Sequence, residues 1–268
     1  MINFLLNERR YMLLAVGFFT RIPIPTFVNF QQNDLNHAAK YFPFVGIIVG
    51  LIGAGAFSLA SKVLPHSIAV LVSMAMTVYI TGAFHEDGLA DSADGLGGAW
   101  DKERILTIMQ DSRLGTYGAI ALFFVLFAKF QLLNALPTYV IPFVLVIAHT
   151  LSRLCALLVM ANLEYVREDG KSKPLATKVN ASGLLVAVLF GVVPIPLLYS
   201  NFSPVLLNAH DWIWLSFCCL TPVVFVWIWW RNKLKRWLGG YTGDCLGAMQ
   251  QMTEIAFYLG LLVWAQQL

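Results

Sequence analysis

Seven stretches of this chain are apolar enough to cross a lipid bilayer, and that constrains its fold more than any other feature. A spanning helix needs about 20 mostly apolar residues to cover about 30 Å of hydrocarbon. The stretches, with loose ends, are Phe42–Ala60, Ser67–Phe84, Tyr117–Leu136, Tyr139–Leu163, Ala181–Tyr199, Trp212–Trp230 and Ala248–Gln267. The run Tyr11–Thr20 is too short to span and lies between Arg9/Arg10 and Arg21, which predicts an interfacial or re-entrant helix. Charge agrees: only 12% of residues are charged, against about 25% in soluble domains. The expected fold is an all-α integral membrane protein, a polytopic bundle of about seven transmembrane helices plus interfacial helices. Gly46 and Gly50 predict a close helix–helix approach.

No internal repeat or low-complexity tract divides the chain, so residues 1–268 read as a single polytopic membrane domain. No cleavable signal peptide is expected, because Met1–Arg10 is polar and Arg21, Pro23 and Pro25 break up the segment after Tyr11–Thr20. Cys155, Cys218, Cys219 and Cys245 show no disulfide or ligand spacing and are expected to be reduced or lipid-facing. A net charge of +3 offers nothing to nucleic acid.

Lys and Arg set the orientation. With the N-terminus in the cytoplasm, the loops 1–41, 85–116, 164–180 and 231–247 hold fifteen of the eighteen basic residues, and the outside loops hold only Lys62. Lys129 and Arg153 fall within spans. This predicts an N-terminus inside, a C-terminus outside and a cytoplasmic loop at about 85–116.

That loop opens with FHEDGLADSADGLGG, residues 84–98. Seven of the fifteen acids lie between Glu86 and Asp111. If 86–94 is helical, Asp87, Asp91 and Asp94 share one face at i, i+4 and i+7, with Glu86 to the side. Three like charges with no lysine among them repel unless something positive sits there. A hard divalent cation is the natural occupant, since Mg²⁺ takes a few carboxylates plus substrate phosphates. The plain alternative is a solvated acidic helix end. Gly95 reads as a helix stop, and Gly97 and Gly98 permit close approach of backbone to a ligand.

Asp101 reads as the N-cap of a short amphipathic helix carrying Ile105, Ile108 and Met109. The helix delivers Asp111, Ser112 and Arg113. Arg113, and Arg104 with it, is a candidate for bidentate contact with phosphate, or else a snorkelling surface cation. Asp244 lies in a glycine- and threonine-rich turn that opens the last span, where backbone N–H groups can face a phosphate. His149 and Arg153 stand one turn apart within one span. Intramembrane charge is a functional hint, while His149 reads equally as a packed core residue.

Together these blocks resemble one family. E-D-G-L-A-D-S-A-D-G at 86–95, D-S-R-L-G-T-Y-G at 111–118, F-T-R-I-P-I-P at 19–25 and G-G-Y-T-G-D-C-L-G-A at 239–248 resemble cobalamin synthase, the adenosylcobinamide-GDP ribazoletransferase of bacteria and archaea. The likeness runs over nearly the whole chain; the 164–180 loop stays unmatched and receives no role. The resemblance implies an integral membrane enzyme, multi-pass in the cytoplasmic (inner) membrane with its site facing the cytoplasm, that needs Mg²⁺. It joins adenosylcobinamide-GDP to α-ribazole or its 5′-phosphate and releases GMP. On that reading Glu86, Asp87, Asp91 and Asp94 hold the metal, Arg113 and Arg104 take up developing charge, and Asp94 or Asp111 accepts the ribose proton. Arg21, Arg153 and the Asp244 turn are further candidates for holding substrate phosphates. Lipid is the surrounding partner, and a homo-oligomer is left open. The rival classes are a CDP-alcohol phosphotransferase, whose D-G-x-x-A-R this chain departs from with D-G-L-A-D, an intramembrane prenyltransferase, and a cation transporter, which would place its acids nearer the bilayer midplane.

Overall fold

The computed structural model describes residues 2–26, 28, 34–167, 179–196 and 209–267. Among them the chain forms eleven α-helices. They are α1 (Ile2–Phe19), α2 (Asp34–Ala38), α3 (Phe42–Ala60), α4 (His66–Thr81), α5 (Phe84–Gly98), α6 (Lys102–Ile108), α7 (Thr116–Asn134), α8 (Ile141–Asn162), α9 (Ala181–Val192), α10 (Ala209–Trp237) and α11 (Gly243–Ala265). A single 3₁₀ turn, Ala39–Tyr41, joins α2 to α3. The only extended pairing among the described residues is one parallel bridge, Tyr165 to Tyr241.

Helix α8 is the buried centre, solvent-shielded almost throughout from Val144 to Leu157. Helix α3 lies against it, and the two glycines explain how closely. A Cβ on Gly50 would sit 2.5 Å from Val146 Cα, and one on Gly46 would strike the His149 carbonyl. Without a hydrophobic force between helices in lipid, such backbone approach is a main source of packing energy. The outward faces are apolar: Phe123, Phe124 and Phe127 on α7, and Ile213, Phe217 and Phe225 on α10, are exposed. An apolar exterior on this scale belongs against lipid rather than water.

Each of the seven expected spans contains a helix, but they are not equal. Four described helical stretches are long and apolar enough to cross a membrane: Asp34–Ala60, Thr116–Asn134, Ile141–Asn162 and His210–Trp237. A fifth crossing arises if α4 and α5, bent by 85°, count as one broken span. Helix α9 has only 12 residues, and residues 197–199 of that expected span lie outside the described residues. Helix α11 has 23 residues but carries Gln250, Gln251 and Glu254 on one face. Seven crossings therefore depend on these short and polar helices.

Three boundaries differ from expectation. Helix α1 starts at Ile2 rather than near Tyr11. Its polar first half is anchored, with Arg10 paired to Asp34 at 2.6 Å and Glu8 to Lys40 at 2.6 Å. Helix α10 continues through Arg231–Arg236, expected as loop; Lys233 lies over the Trp229 and Trp230 rings, 5.4 and 5.8 Å from their centroids. The four cysteines are free, as expected, but buried rather than lipid-facing.

Candidate functional site

The acid block is a helix of its own. Gly82 ends α4 at φ 66°, and Ala83 follows at φ 59°. Two successive left-handed residues turn the chain sharply, and glycine takes the first at no steric cost. The Arg21 guanidinium lies over the Tyr79 ring at 5.3 Å and against Gly82, and the Arg21 backbone N–H donates to the Ile80 carbonyl at 2.7 Å. Arg21 thus braces the bend. Helix α5 runs past the expected stop at Gly95 to Gly98, and Gly95 instead packs against Met109, the residue that follows α6. Asp101 caps α6 as expected, accepting from the Arg104 N–H at 2.9 Å.

The four acids of α5 separate into two kinds. Asp94 is buried and turned to the start of α7, where its oxygens accept from the N–H groups of Gly115 and Gly118, both at 2.8 Å. It serves as a remote cap on a helix N-terminus, a favourable place for a carboxylate. Glu86 is buried and accepts from Gln251 Nε2 at 2.8 Å; its second oxygen has no partner among the described residues. Asp87 is exposed and Asp91 half-buried.

Helix α11 brings Asp244 to this pair. Gly88 makes the contact: a Cβ there would sit 2.8 Å from the Asp244 carbonyl oxygen. Thr242 caps α11, and Asp244, in its first turn, pairs with Arg167 at 2.7 Å. The Tyr165–Tyr241 bridge carries Arg167 into place, with N–H···O bonds of 3.0 Å from Val166 to Tyr241 and 2.9 Å from Tyr241 to Glu164. Burial pushes the Asp91 carboxyl up to about 7, helped by Asp244, Asp87 and Asp94 and opposed by Arg167. Burial also raises Asp244, against the pull of Arg167. Asp87, Asp91 and Asp244 therefore share one field of negative charge, with Arg167 the cation that opposes it. No group of three His, Cys, Asp or Glu side chains among the described residues is placed to hold an ion unaided. Asp87, Asp91 and Asp244 could hold Mg²⁺ only with water and substrate phosphate completing its oxygen shell.

The remaining candidates lie elsewhere. Asp111 and Arg113 hold each other at the surface, Nη2 to Oδ2 at 2.6 Å, and Arg113 is 87% exposed. Hydrogen bonds from Arg113 keep the Asp111 carboxyl at about 2, which makes it a weak proton acceptor at neutral pH. The Arg104 side chain is exposed. Arg153 is buried in α8, and its Nη1 donates to the His149 carbonyl at 2.9 Å.

Beneath the acid cluster is a polar centre of which sequence reasoning singles out His149 but not Glu254. Glu254 is fully buried and paired with Lys129 at 2.7 Å and His149 at 2.6 Å. Gln250 donates to Glu254, and Gln251 accepts from Lys129 at 2.7 Å while donating to Glu86. Lys129 within an apolar run, with a single acid in the last span, is the signal that could have found it. Arg167 lies in the 164–180 loop, which carries no motif, and nothing local marks it.

A polytopic helical membrane protein with clustered carboxylates and one arginine at the ends of its helices is the class that fold and site define. The family model described as Cobalamin-5-phosphate synthase matches residues 11–262, and the chain belongs to that family. A protein of Shewanella amazonensis named adenosylcobinamide-GDP ribazoletransferase is 45% identical, over 97% of this chain and 98% of its own length. Proteins of the same name from Ralstonia pickettii and Shewanella frigidimarina are 42% and 41% identical, over 98% and 96% of this chain and 98% and 95% of their own lengths. No solved structure matches.

Proposed function

We propose that this protein is an adenosylcobinamide-GDP ribazoletransferase, catalysing the joining of the nucleotide loop in cobalamin biosynthesis. A hydroxyl of α-ribazole, or of its 5′-phosphate, attacks the diphosphate phosphorus attached to adenosylcobinamide. The new P–O bond joins cobinamide phosphate to the ribose, the bond to the GMP phosphate breaks, and the hydroxyl proton is released.

The convergence of Asp87 and Asp91 with Asp244 and Arg167 carries this reading. Transfer between phosphates needs positioning and charge neutralisation more than covalent chemistry. Asp87, Asp91 and Asp244 would hold Mg²⁺, which supplies positive charge to the diphosphate oxygens. Arg167 sets the Asp244 carboxylate by its ion pair and adds a second positive charge beside the diphosphate. Asp94 fixes α5 against α7 through two amides, and Glu86 fixes it against α11 through Gln251. In this account both acids hold the site in place without touching the metal.

The site faces the cytoplasm, in the inner membrane. Arg167 after α8, Asp244 at the start of α11 and the acid helix meet at one end of the bundle, the end at which the basic loops gather. The test is GMP release by purified protein in liposomes given adenosylcobinamide-GDP and α-ribazole, with Mg²⁺ or with a chelator. Turnover that stops with the chelator is expected. No GMP release with Mg²⁺ overturns the transferase reading, and undiminished release with the chelator overturns the metal.

A further inference from the structure

Helices α4 and α7 leave an open groove of about 750 Å³ between them, apart from the acid cluster. Its walls are apolar, with Leu71, Met74 and Val78 from α4 and Phe123 and Phe127 from α7. Leu71, Phe123 and Phe127 are exposed, so the groove opens on the surface that meets lipid. The two helices run antiparallel: Thr138, beyond the end of α7, meets His66, the first residue of α4, at 3.0 Å. Arg21 stands at the opposite end of the groove, with Gly82 and Ala83. Stacking on Tyr79 occupies the face of its guanidinium and leaves the N–H groups at the edge. No carboxylate among the described residues pairs with it. From Leu71 to Gly82 the rise along α4 is about 16 Å, close to the half-thickness of about 15 Å that one leaflet's hydrocarbon has.

We propose that this groove binds an anionic phospholipid, with one acyl chain laid between α4 and α7 and the phosphate on Arg21. Three observations select a lipid. The groove opens sideways into the bilayer, it is as long as one leaflet is deep, and it ends at a cation without a counter-charge. A soluble polar ligand would leave its hydrogen-bonding groups against leucine and phenylalanine. The guanidinium fork receives two phosphate oxygens together. An anionic headgroup is favoured over a zwitterionic one, because the quaternary amine of the latter would add a second cation beside Arg21. The site also reaches the acid helix. Arg21 braces the Gly82–Ala83 bend, and the Asp87 backbone N–H donates to the Ala83 carbonyl at 2.9 Å. A lipid held by Arg21 therefore steadies the bend from which α5 starts.

Photolabelling of the full chain in nanodiscs tests this. The probes are phosphatidylglycerol and phosphatidylcholine with the same diazirine-bearing acyl chain, at equal mole fraction, and the labelled peptides are mapped by mass spectrometry. In the wild type the phosphatidylglycerol probe should label residues 71–79 and 123–130 about fivefold more than the phosphatidylcholine probe, the factor that one arginine near a charged headgroup gives. Arg21→Gln should bring the two probes to parity in these segments. Ala75 lines the groove and is exposed, so Ala75→Trp should fill the groove without disturbing the core and should also abolish the preference on 123–130. Equal labelling by both probes in the wild type means ordinary boundary lipid and overturns the proposal. A preference that survives either substitution overturns it as well, and if Arg21→Gln does not insert, Ala75→Trp decides alone. Adenosylcobinamide-GDP, added in excess, should leave the labelling unchanged; its displacement of the lipid probe would assign the groove and Arg21 to the substrate diphosphate instead.

Discussion

Two groups of charge share helix α11 and are treated in opposite ways. Around Glu254, Lys129, His149 and two glutamines meet the buried carboxylate. At the head of the same helix, Asp244 faces Asp87 and Asp91 with Arg167 in opposition. The first group is closed and the second is open. A charge within the bundle needs its partners built in, because a lone ion there would cost several kcal/mol. A carboxylate at the helix ends can keep its charge unmatched, and the repulsion it suffers is the affinity it offers to a cation.

The largest expected effect tests the open group. Asp91→Asn should lower kcat by about 10³-fold or more, equivalent to about 4 kcal/mol of transition-state stabilisation. The variant should still insert and melt no lower than wild type, because it relieves repulsion. GMP release and thermal melting, measured together, check this; a lower melting temperature would mean that Asp91 is structural. The closed group should respond in reverse. Glu254→Gln leaves Lys129 buried without its counter-charge and should destabilise the protein by about 3 kcal/mol or more, read as a lower melting temperature in nanodiscs. A variant as stable as wild type would show that the centre is not closed.

Arg167→Gln comes next, with an expected loss of about 100-fold in kcat, the lower end for one charge-stabilising donor. Unchanged turnover would remove Arg167 from the site. A smaller effect concerns pH. The folded Asp91 carboxyl, at about 7, lies above its ordinary value of 3.8. Its ionisation therefore opposes folding, not at all below the ordinary value and fully above about 7. With metal chelated, the wild type should lose stability from pH 5 to pH 8 relative to Asp91→Asn, and parallel melting curves would refute the shift. Smallest is Arg113→Lys, expected to change kcat by less than about threefold, because an exposed ion pair contributes little. A loss of 100-fold would return Arg113 to the phosphate role that its sequence position suggests.

Much of this was legible in sequence because it is local. The acid helix, the Asp101 cap and the glycines of α3 follow from neighbours a few residues apart. What the sequence hid depends on contacts across the bundle. Asp94 has the spacing of Asp91, yet only the docking of α7 turns it into a cap. Arg167 reaches Asp244 through one bridge between segments far apart in the chain. The bend at Gly82–Ala83 was hidden as well, since an alanine with positive φ carries no composition signal. Glu254 was overlooked because an isolated acid in an apolar run reveals a partner only when the opposite helix is known.

Gly88 has a consequence beyond packing. The two halves of the acid cluster come from distant parts of the chain, and the gap between them is gauged by the absence of a methyl group. An alanine at 88 would meet the Asp244 backbone rather than a flexible side chain, so the helices themselves would have to part. The site is in this sense calibrated by subtraction: its span is written at a residue that carries no charge, binds nothing and could be mistaken for filler.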